Sequence, residues 1–381
     1  MILRIPDYYE EFSCIADRCR DSCCIGWEID IDEASMDYYK TVEGAFGERL
    51  KNEIYQSDDG EYRFCLKENS RCTMLNDRNL CDLYTALGEP ALCEVCTDYP
   101  RVSTFYGNVM QRSLGISCEE VGRILFSRDE PVSFVDRYME DSFDLEEEES
   151  TEIGSDSDEK CNRVELCEEC ESSEEYEEDE ESRILMLEGM QHQLLSILQD
   201  RRKDIRERMW EVLCIAGKID DREFVLSERH SYVDFDERFR VFEEMEAKDG
   251  EWVSQVERMR GIMTEHSYEE HLHTYMQSED YCQNDYEQLM VYFIFRYFMT
   301  SVYNYGEESY VRMAVIFTLV IRDMDALRYY ENGGHFTLED RIDTARIFSK
   351  EVEHLEDNLA LIREEMLFDD VYSVERLLAQ I

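Results

Sequence analysis

The chain has 381 residues, of which 40 are Lys or Arg and 91 are Asp or Glu, so its formal net charge is −51 at pH 7. Phosphate backbones and anionic membrane surfaces repel such a chain, which argues against nucleic acid or membrane as a partner and favours a basic one. Hydrophobic residues make up 43% of the chain, which excludes wholesale disorder.

The N-terminal segment and the cysteine content indicate a compartment. Residues 1–10 lack the basic region followed by an apolar one that marks a secretory signal. The most apolar stretch, 289–302, is interrupted by Arg296 and is shorter than the roughly 20 residues that span a bilayer. We therefore expect a cytoplasmic protein, in which the 15 cysteines favour metal or redox chemistry over disulfides.

Short, mixed elements are predicted in the N-terminal region. An alternation of apolar and polar residues predicts a strand over 25–31. Asp32 is a candidate N-cap for a helix through Lys40, and Gly107-Asn108 predicts a hairpin over 102–112. Because the apolar content of this region is modest, we expect it to need a metal or a cluster to stabilise it.

The chain divides into three predicted parts. Residues 1–135 form the cysteine-rich module, and 136–182 form a linker that is so acidic and serine-rich that we expect it to be disordered. Residues 183–381 carry apolar residues at helical spacing and are predicted to form an α-helical domain. The expected fold class is α+β, mainly α: a small irregular module followed by a helical domain.

Ten cysteines lie within the first 118 residues: Cys14, Cys19, Cys23, Cys24, Cys65, Cys72, Cys81, Cys93, Cys96 and Cys118. Thiolates at such short separations can converge on zinc or on an iron–sulfur cluster, whereas calcium and magnesium prefer oxygen ligands. One or two of the ten could be small buried apolar residues, with Cys65 the first choice. The pair Cys23-Cys24, three residues after Cys19, is hard to explain by packing, so the sequence favours metal binding.

Several segments carry a family resemblance. Residues 12–27 hold the pattern Cys-x4-Cys-x3-Cys-Cys-x-Gly-Trp, Cys96 is followed by Tyr99-Pro100-Arg101, and 113–119 reads Ser-Leu-Gly-Ile-Ser-Cys-Glu. Together with the Cys72 and Cys81 pair, these segments resemble the flagellin lysine-N-methylases, and the N-terminal part is also similar to a broader zinc- or iron-chelating module. The helical segments 292–296 and 348–354 are similar to the same methylases, so the resemblance covers most of the chain outside the acidic insert.

The resemblance implies a flagellin-lysine N-methyltransferase that uses S-adenosylmethionine and carries a four-iron four-sulfur cluster, with zinc as the alternative metal. Flagellin would be the protein substrate. The matching positions supply eight candidate ligands for four places: Cys14, Cys19, Cys23, Cys24, Cys72, Cys81, Cys96 and Cys118. The insert departs from the family pattern, and its Cys167-x2-Cys170 pair is better explained as incidental cysteine.

Two familiar signatures are missing from the sequence. A radical S-adenosylmethionine enzyme needs three thiolates at x3 and then x2 spacing, but Gly26 stands where the third would be. No Gly-rich loop of the G-x-G-x-x-G type follows a predicted strand, which argues against a Rossmann-type domain. Methylation remains possible, because a neutral lysine amine is itself a nucleophile once a base removes its proton.

Glu353 and His354 are the candidate catalytic residues, because they lie in a family-like segment. Each could equally be a polar helix residue paired with a neighbour. A lysine channel could be lined by an aromatic-rich stretch through cation–π contact; its tyrosines are Tyr292, Tyr297, Tyr303 and Tyr305. A stripe of this kind is more often helix core.

Two other functions stay open at the level of sequence. A zinc- or iron-chelating structural or adaptor protein would use the module only to hold a helical interaction domain, which shows no catalytic signature of its own. A redox electron carrier is weaker, because neither a flavin motif nor a second cluster motif is visible.

Overall fold

The computed structural model describes residues 1–139, 173–219, 231–247 and 250–381. All of its strands lie before residue 139: β1 (Ile2–Pro6), β2 (Asp30–Ile31), β3 (Ile54–Gln56), β4 (Tyr62–Phe64), β5 (Leu66–Lys67), β6 (Arg71–Cys72), β7 (Arg101–Tyr106), β8 (Val109–Leu114) and β9 (Phe134–Tyr138). Five helices accompany them: α1 (Glu33–Thr41), α2 (Gly44–Asn52), α3 (Asp82–Leu87), α4 (Glu94–Asp98) and α5 (Glu119–Phe126).

The rest of the described chain is helical, as the apolar periodicity predicts. Its helices are α6 (Ser173–Leu198), α7 (Ile205–Ala216), α8 (Tyr232–Glu244), α9 (Gly250–Ile262), α10 (Tyr268–Met276), α11 (Gln283–Tyr297), α12 (Ser301–Asn304), α13 (Glu307–Glu331), α14 (Leu338–Val352), α15 (Glu356–Phe368) and α16 (Val374–Gln380). The predicted linker lies largely outside the described residues, as do Cys161, Cys167 and Cys170. Helix α6 begins at Ser173, inside the predicted linker.

Two local predictions in the N-terminal region are confirmed. The Asp32 side chain accepts a hydrogen bond from the Ser35 amide and caps α1, which ends at Thr41. The predicted hairpin is formed by β7 and β8, and its turn places Gly107 at a φ of +48°. Both features are determined by neighbouring residues, so they can be predicted from the sequence alone.

The strand predicted over 25–31 is wrong except at its end, where β2 forms. Gly26 has a φ of +101°, outside the range of an extended strand, and the Trp27 indole donates to the Cys23 carbonyl 2.6 Å away. The Cys24 carbonyl instead accepts from the Cys72 amide at 2.8 Å. These contacts fold the segment into a turn around its cysteines.

A four-stranded sheet joins the N-terminal region to the helices. Its order is β7-β8-β1-β9, in which β1 runs parallel to β8 and antiparallel to β9. Tyr106 of β7, Leu114 of β8 and Leu125 of α5 are buried in one large core with the apolar faces of the helices. At Gly122 an added Cβ would lie 3.1 Å from Ile342 of α14, so α5 approaches α14 closely there.

A second, smaller core lies within residues 29–93 and contains Ile29, Tyr39, Leu50, Phe64, Cys72 and Cys93 among its buried members. The N-terminal residues are therefore divided between two cores, while the boundaries predicted for the three parts stay predictions. The mainly helical fold class is confirmed. No helix in the described ranges combines the length and the apolar content that crossing a bilayer requires.

Candidate functional site

Glu353 and His354 follow directly after α14, where this helix meets the N-terminal region. Glu353 caps the helix C-terminus through its amide, which donates to the Ser349 carbonyl at 2.9 Å. Its side chain is buried. The two candidate residues therefore lie at the junction of the two regions rather than on an open helix surface.

The Glu353 carboxylate lies in a buried polar network on α11. Its Oε2 atom is 2.9 Å from Nε of Arg296, and it accepts hydrogen bonds from the hydroxyls of Tyr297 at 2.7 Å and Tyr292 at 3.0 Å. Burial raises the pKa of both tyrosines well above its usual value, so both hydroxyls stay protonated and donate. With two tyrosine donors and the Arg296 cation around it, Glu353 is held in place and fixes the end of α14.

His354 lies in a polar and aromatic cluster contributed by the N-terminal region. Its Nε2 atom is 2.6 Å from the Ser117 hydroxyl, which is in turn 3.2 Å from the Tyr99 hydroxyl. The ring centroids of Trp27 and Tyr99 lie 5.1 Å and 6.0 Å from that of His354. Burial, and then the nearby thiols of Cys118 and Cys23, raise the pKa of Tyr99 well above its usual value. We call Trp27, Tyr99, Ser117 and His354 the histidine cluster.

The cysteine-bearing loop 14–24 is fastened beside this cluster. The Arg20 amide donates to the Glu119 carboxylate at 2.8 Å, at the start of α5. Asp21 lies 2.6 Å from Nη1 of Arg346 and 3.0 Å from Nζ of Lys350, both on α14. The Lys350 ammonium is also 5.7 Å from the centroid of the Trp27 ring. The loop is thus held by charged groups on two helices of the large core.

The predicted cysteine ligands are divided between the two cores. Cys118 is the N-cap of α5 and packs against the large core. The nearby Cys14 thiol helps to raise the pKa of Cys118, and Cys118 helps to raise the pKa of Cys19. Cys24, Cys81 and Cys96 pack against the small core that contains Cys72 and Cys93. Cys65 is half-buried and belongs to neither core, so the prediction that it is a small buried apolar residue is wrong.

Thiol ionisation differs within this group. Burial raises the pKa of Cys19 and of Cys72 to about 12, whereas the hydrogen bond between the Cys23 and Cys24 side chains lowers the pKa of Cys24 to about 7. The same bond raises the pKa of Cys23. Cys24 is therefore the thiol of this pair that ionises first near neutral pH.

The donor chemistry of these residues fits a thiolate-bound metal or cluster, since cysteine thiolates are ligands of both zinc and iron–sulfur clusters. Within the described ranges, no three His, Cys, Asp or Glu side chains are spaced as ligands to a single ion.

The residues that the sequence reasoning did not select are Ser117, Tyr99 and Trp27. All three lie in the quoted family-like segments, within three residues of a cysteine, and that position was the available signal. The four tyrosines proposed for a lysine channel lie in two different environments. Tyr292 and Tyr297 are in the Glu353 network, whereas Tyr303 and Tyr305 are 54% and 66% exposed. Their positions alone do not make a channel.

This arrangement defines the kind of protein: a cysteine-bearing loop packs onto a helical domain at a half-buried histidine cluster. A family model described as the FliB lysine N-methylase C-terminal domain matches residues 191–380. The Lysine-N-methylase of Salmonella typhimurium (strain LT2) is 29% identical over 134 residues, covering 32% of this chain and 31% of the relative. The Flagellar biosynthetic protein FliU of Salmonella muenchen is 31% identical over 126 residues, covering 32% of this chain and 75% of the relative.

The chain belongs to the flagellin lysine-N-methylase family. The match to the Salmonella lysine-N-methylase spans less than a third of that protein's length. No solved structure matches the chain. The family model lies in the helical half, where the resemblance in the sequence is looser, so the family assignment does not depend on the cysteine pattern alone.

Proposed function

We propose that this protein transfers methyl groups from S-adenosylmethionine to lysine side chains of flagellin, and that it carries an iron–sulfur cluster. The family carries this proposal, because two relatives from Salmonella are named Lysine-N-methylase and a third is named as a flagellar biosynthetic protein. The charge of −51 supports it, since a lysine-bearing substrate is attracted to such a chain.

The surroundings of the histidine cluster suit a lysine side chain. The ring of Trp27 faces the ammonium of Lys350, and the carboxylate of Asp21 is 3.0 Å from the same nitrogen. An aromatic face and a carboxylate are the groups that recognise an alkylammonium ion. The chain's own lysine therefore shows which chemistry a substrate lysine would meet beside His354.

Methyl transfer requires a neutral amine, and the usual lysine pKa is about 10.4. In the proposed reaction the amine nitrogen forms a bond to the methyl carbon as the bond from that carbon to the sulfonium sulfur breaks. The proton that the amine loses passes to a base. His354 is the proposed base, because its Nε2 is 2.6 Å from Ser117, whose hydroxyl continues to Tyr99 and can carry the proton onward.

Glu353 has a different proposed role. Two tyrosine hydroxyls and the Arg296 guanidinium already surround its carboxylate, so it acts as a positioning residue that holds the end of α14 and therefore the His354 ring. Four of the eight predicted cysteines would hold the cluster, which when bound would supply a redox-active centre. The amine chemistry described above consumes none of its electrons.

The test is methylation of flagellin by the purified full chain. Unmodified flagellin is incubated with S-adenosylmethionine and the anaerobically purified protein, and mass spectrometry counts the methyl groups on each lysine. We expect methylated lysines with the wild type and a rate lower by about 10²–10⁴ with His354→Gln. The matched control is His273→Gln on the exposed face of α10, which should retain the wild-type rate.

Binding of S-adenosylmethionine by calorimetry separates the alternatives. A protein that binds it but leaves flagellin unmodified would point to another lysine-bearing substrate. A protein that neither binds it nor methylates flagellin would contradict the proposal and favour the adaptor function.

A further inference from the structure

We propose that the open edge of β9, together with the pocket beside it, binds an extended peptide segment that carries a basic side chain. The segment adds to the sheet as one more strand and places a lysine or arginine in the pocket. The pocket shares no residue with the histidine cluster, so this is a docking site apart from the proposed base. The inference rests on the proposed function only in naming the protein that carries the segment as flagellin.

Strand β9 stands at one end of the sheet order, with β1 as its paired neighbour. The hydrogen bonds at its two ends show which backbone groups face β1. The Met139 amide donates to the Met1 carbonyl at 3.0 Å, and the Ser133 carbonyl accepts from the Asp7 amide at 2.8 Å. Because successive residues of a strand point their backbone groups to alternate sides, the odd-numbered residues of β9 face β1.

The even-numbered residues of β9 therefore turn their amides and carbonyls to the open edge. These residues are Phe134, Asp136 and Tyr138. Among the residues that the structure describes, none donates to these carbonyls or accepts from these amides. Such a row of unpaired groups is a template for another extended chain.

The opposite edge of the sheet, β7, lies against the helical region. The Thr104 hydroxyl donates to the Arg296 carbonyl at 3.5 Å, and the Gly107 amide donates to the Tyr303 hydroxyl at 3.3 Å. Strand addition at β7 would have to displace these contacts. We therefore place the added strand at β9.

A pocket of about 260 Å³ lies on the side of β9 that faces the helices. Phe134 and Asp136 line it from the strand, and Glu188 and His192 line it from α6. The ring of Phe134 stacks on Phe295 of α11, with centroids 4.3 Å apart, and gives the pocket an apolar wall. This volume is smaller than that of a site for a drug-sized ligand, and it suits a single long side chain.

The charges in the pocket favour a basic side chain. Arg4 binds both oxygens of Asp136, at 2.7 and 2.8 Å, and Oε1 of Glu188 at 2.6 Å. Two carboxylates therefore share one guanidinium, which leaves a net negative charge when His192 is neutral. The Asp136 and Glu188 side chains are 43% and 25% exposed, so a cation can reach them from the edge.

The position of Asp136 also selects against other strands. An inward-facing charge on an edge strand discourages pairing with an apolar chain, because that chain would bury the charge without a partner. A lysine or arginine in the added strand supplies the partner. The net charge of −51 attracts the same class of segment from a distance.

Binding of a model peptide to the full chain tests the pocket, with neither flagellin nor S-adenosylmethionine present. The probe is the capped peptide acetyl-Thr-Val-Lys-Val-Thr-Val-amide, about as long as a typical strand. Calorimetry should show binding to the wild type. Replacing the peptide lysine by norleucine, or Glu188 by Gln, should each weaken it about tenfold to hundredfold. Glu188→Gln leaves Arg4 held by both oxygens of Asp136, so the pocket keeps its shape. The matched control is Glu244→Gln on α8, an exposed residue outside the pocket, which should bind like the wild type.

Hydrogen exchange resolved to single residues tests the strand edge. Peptide binding should slow exchange at the amides of Asp136 and Tyr138 and leave Val135 and Arg137, which already face β1, unchanged. Two N-methylated peptides give a second readout, because an added strand uses the amides of alternate residues only. N-methylation of one alternate set should abolish binding, and N-methylation of the other set should preserve it.

Three results would overturn the proposal. They are no binding of the lysine peptide, equal binding of the norleucine peptide, and binding that leaves exchange at Asp136 and Tyr138 unchanged. Methyl transfer enters none of these measurements. A protein that binds the peptide but does not methylate flagellin would contradict the proposed function alone, and a methylase that ignores the peptide would contradict the docking site alone.

Discussion

Asp21 and Arg346, 325 positions apart in the sequence, form an ion pair with 2.6 Å between Oδ2 and Nη1. Asp21 lies on the cysteine-bearing loop, and Arg346 lies on the helix that ends beside His354. The Arg346 side chain is only 5% exposed and also pairs with Glu251 and Asp343. The pair therefore holds the cysteine-bearing loop against the helix that leads to the histidine cluster.

Asp21→Asn should loosen this loop without unfolding the helical core. The change removes one of three carboxylate partners of Arg346 and the carboxylate bound to Lys350, so we expect a loss of about 1–3 kcal/mol in the free energy of unfolding. Alkylation of Cys19 and Cys23 should become faster. Urea denaturation and timed alkylation with peptide mass spectrometry measure the two effects. Asp37→Asn, which removes an exposed pair with Lys40, is the control; equal alkylation rates in both variants would contradict the role of Asp21.

The buried pair of Arg296 and Glu353 should be costly to break from one side. Arg296→Met leaves the carboxylate buried with only tyrosine donors, and we expect it to lower the free energy of unfolding by about 3–5 kcal/mol. The double variant Arg296→Met with Glu353→Gln removes both charges and should be more stable than Arg296→Met alone. Denaturation of the wild type, both single variants and the double variant gives the coupling energy. A double variant as unstable as the sum of the single ones would show that the pair is not coupled.

Tyr106 should make stability fall at alkaline pH. Its side chain is fully buried, and burial raises its pKa to about 12 from the usual 10.0. Above pH 10 the unfolded chain releases this proton while the folded protein keeps it, so the unfolded state binds fewer protons and stability falls by about 1.4 kcal/mol per pH unit up to pH 12. Tyr106→Phe should show a shallower fall in urea-unfolding midpoint over this range. Tyr38→Phe, at an exposed position, should follow the wild type.

Phe317 lies at the centre of the large core, with ring centroids 5.2 Å from Phe293 and 5.1 Å from Phe348. Phe317→Ala leaves a cavity between α11, α13 and α14 and should lower the free energy of unfolding by about 3–5 kcal/mol. Phe368→Ala, at a side chain that is 80% exposed, should change it by less than about 0.5 kcal/mol. Chemical denaturation of the two variants provides the comparison, and similar losses in both would contradict the burial pattern.

Structural features that depend only on neighbouring residues can be predicted from the sequence. The Asp32 cap, the Gly107 turn and the helices of the second half follow from local chemistry and apolar periodicity, and they form as predicted. The segment after Cys24 does not form the predicted strand, because the Cys24 carbonyl accepts a hydrogen bond from the Cys72 amide. No local sequence pattern reveals this distant partner. Ser117 and His354 meet across 237 positions for the same reason. The sequence could therefore name His354 and the cysteines, but it could not show which of them are neighbours.

The sheet that carries the N-terminal strand has a consequence for synthesis of the chain. β1 pairs with β8, which begins at Val109, and with β9, which ends at Tyr138, so both of its neighbours are translated long after it. Arg4 on this strand is also bonded to Glu188 of α6. While the ribosome makes the intervening residues, the first strand has no native partner, and contacts of such wide sequence separation form slowly. The small core, whose buried residues lie between Ile29 and Cys93, can form before this strand is paired, so part of the nascent protein can fold before its central sheet exists.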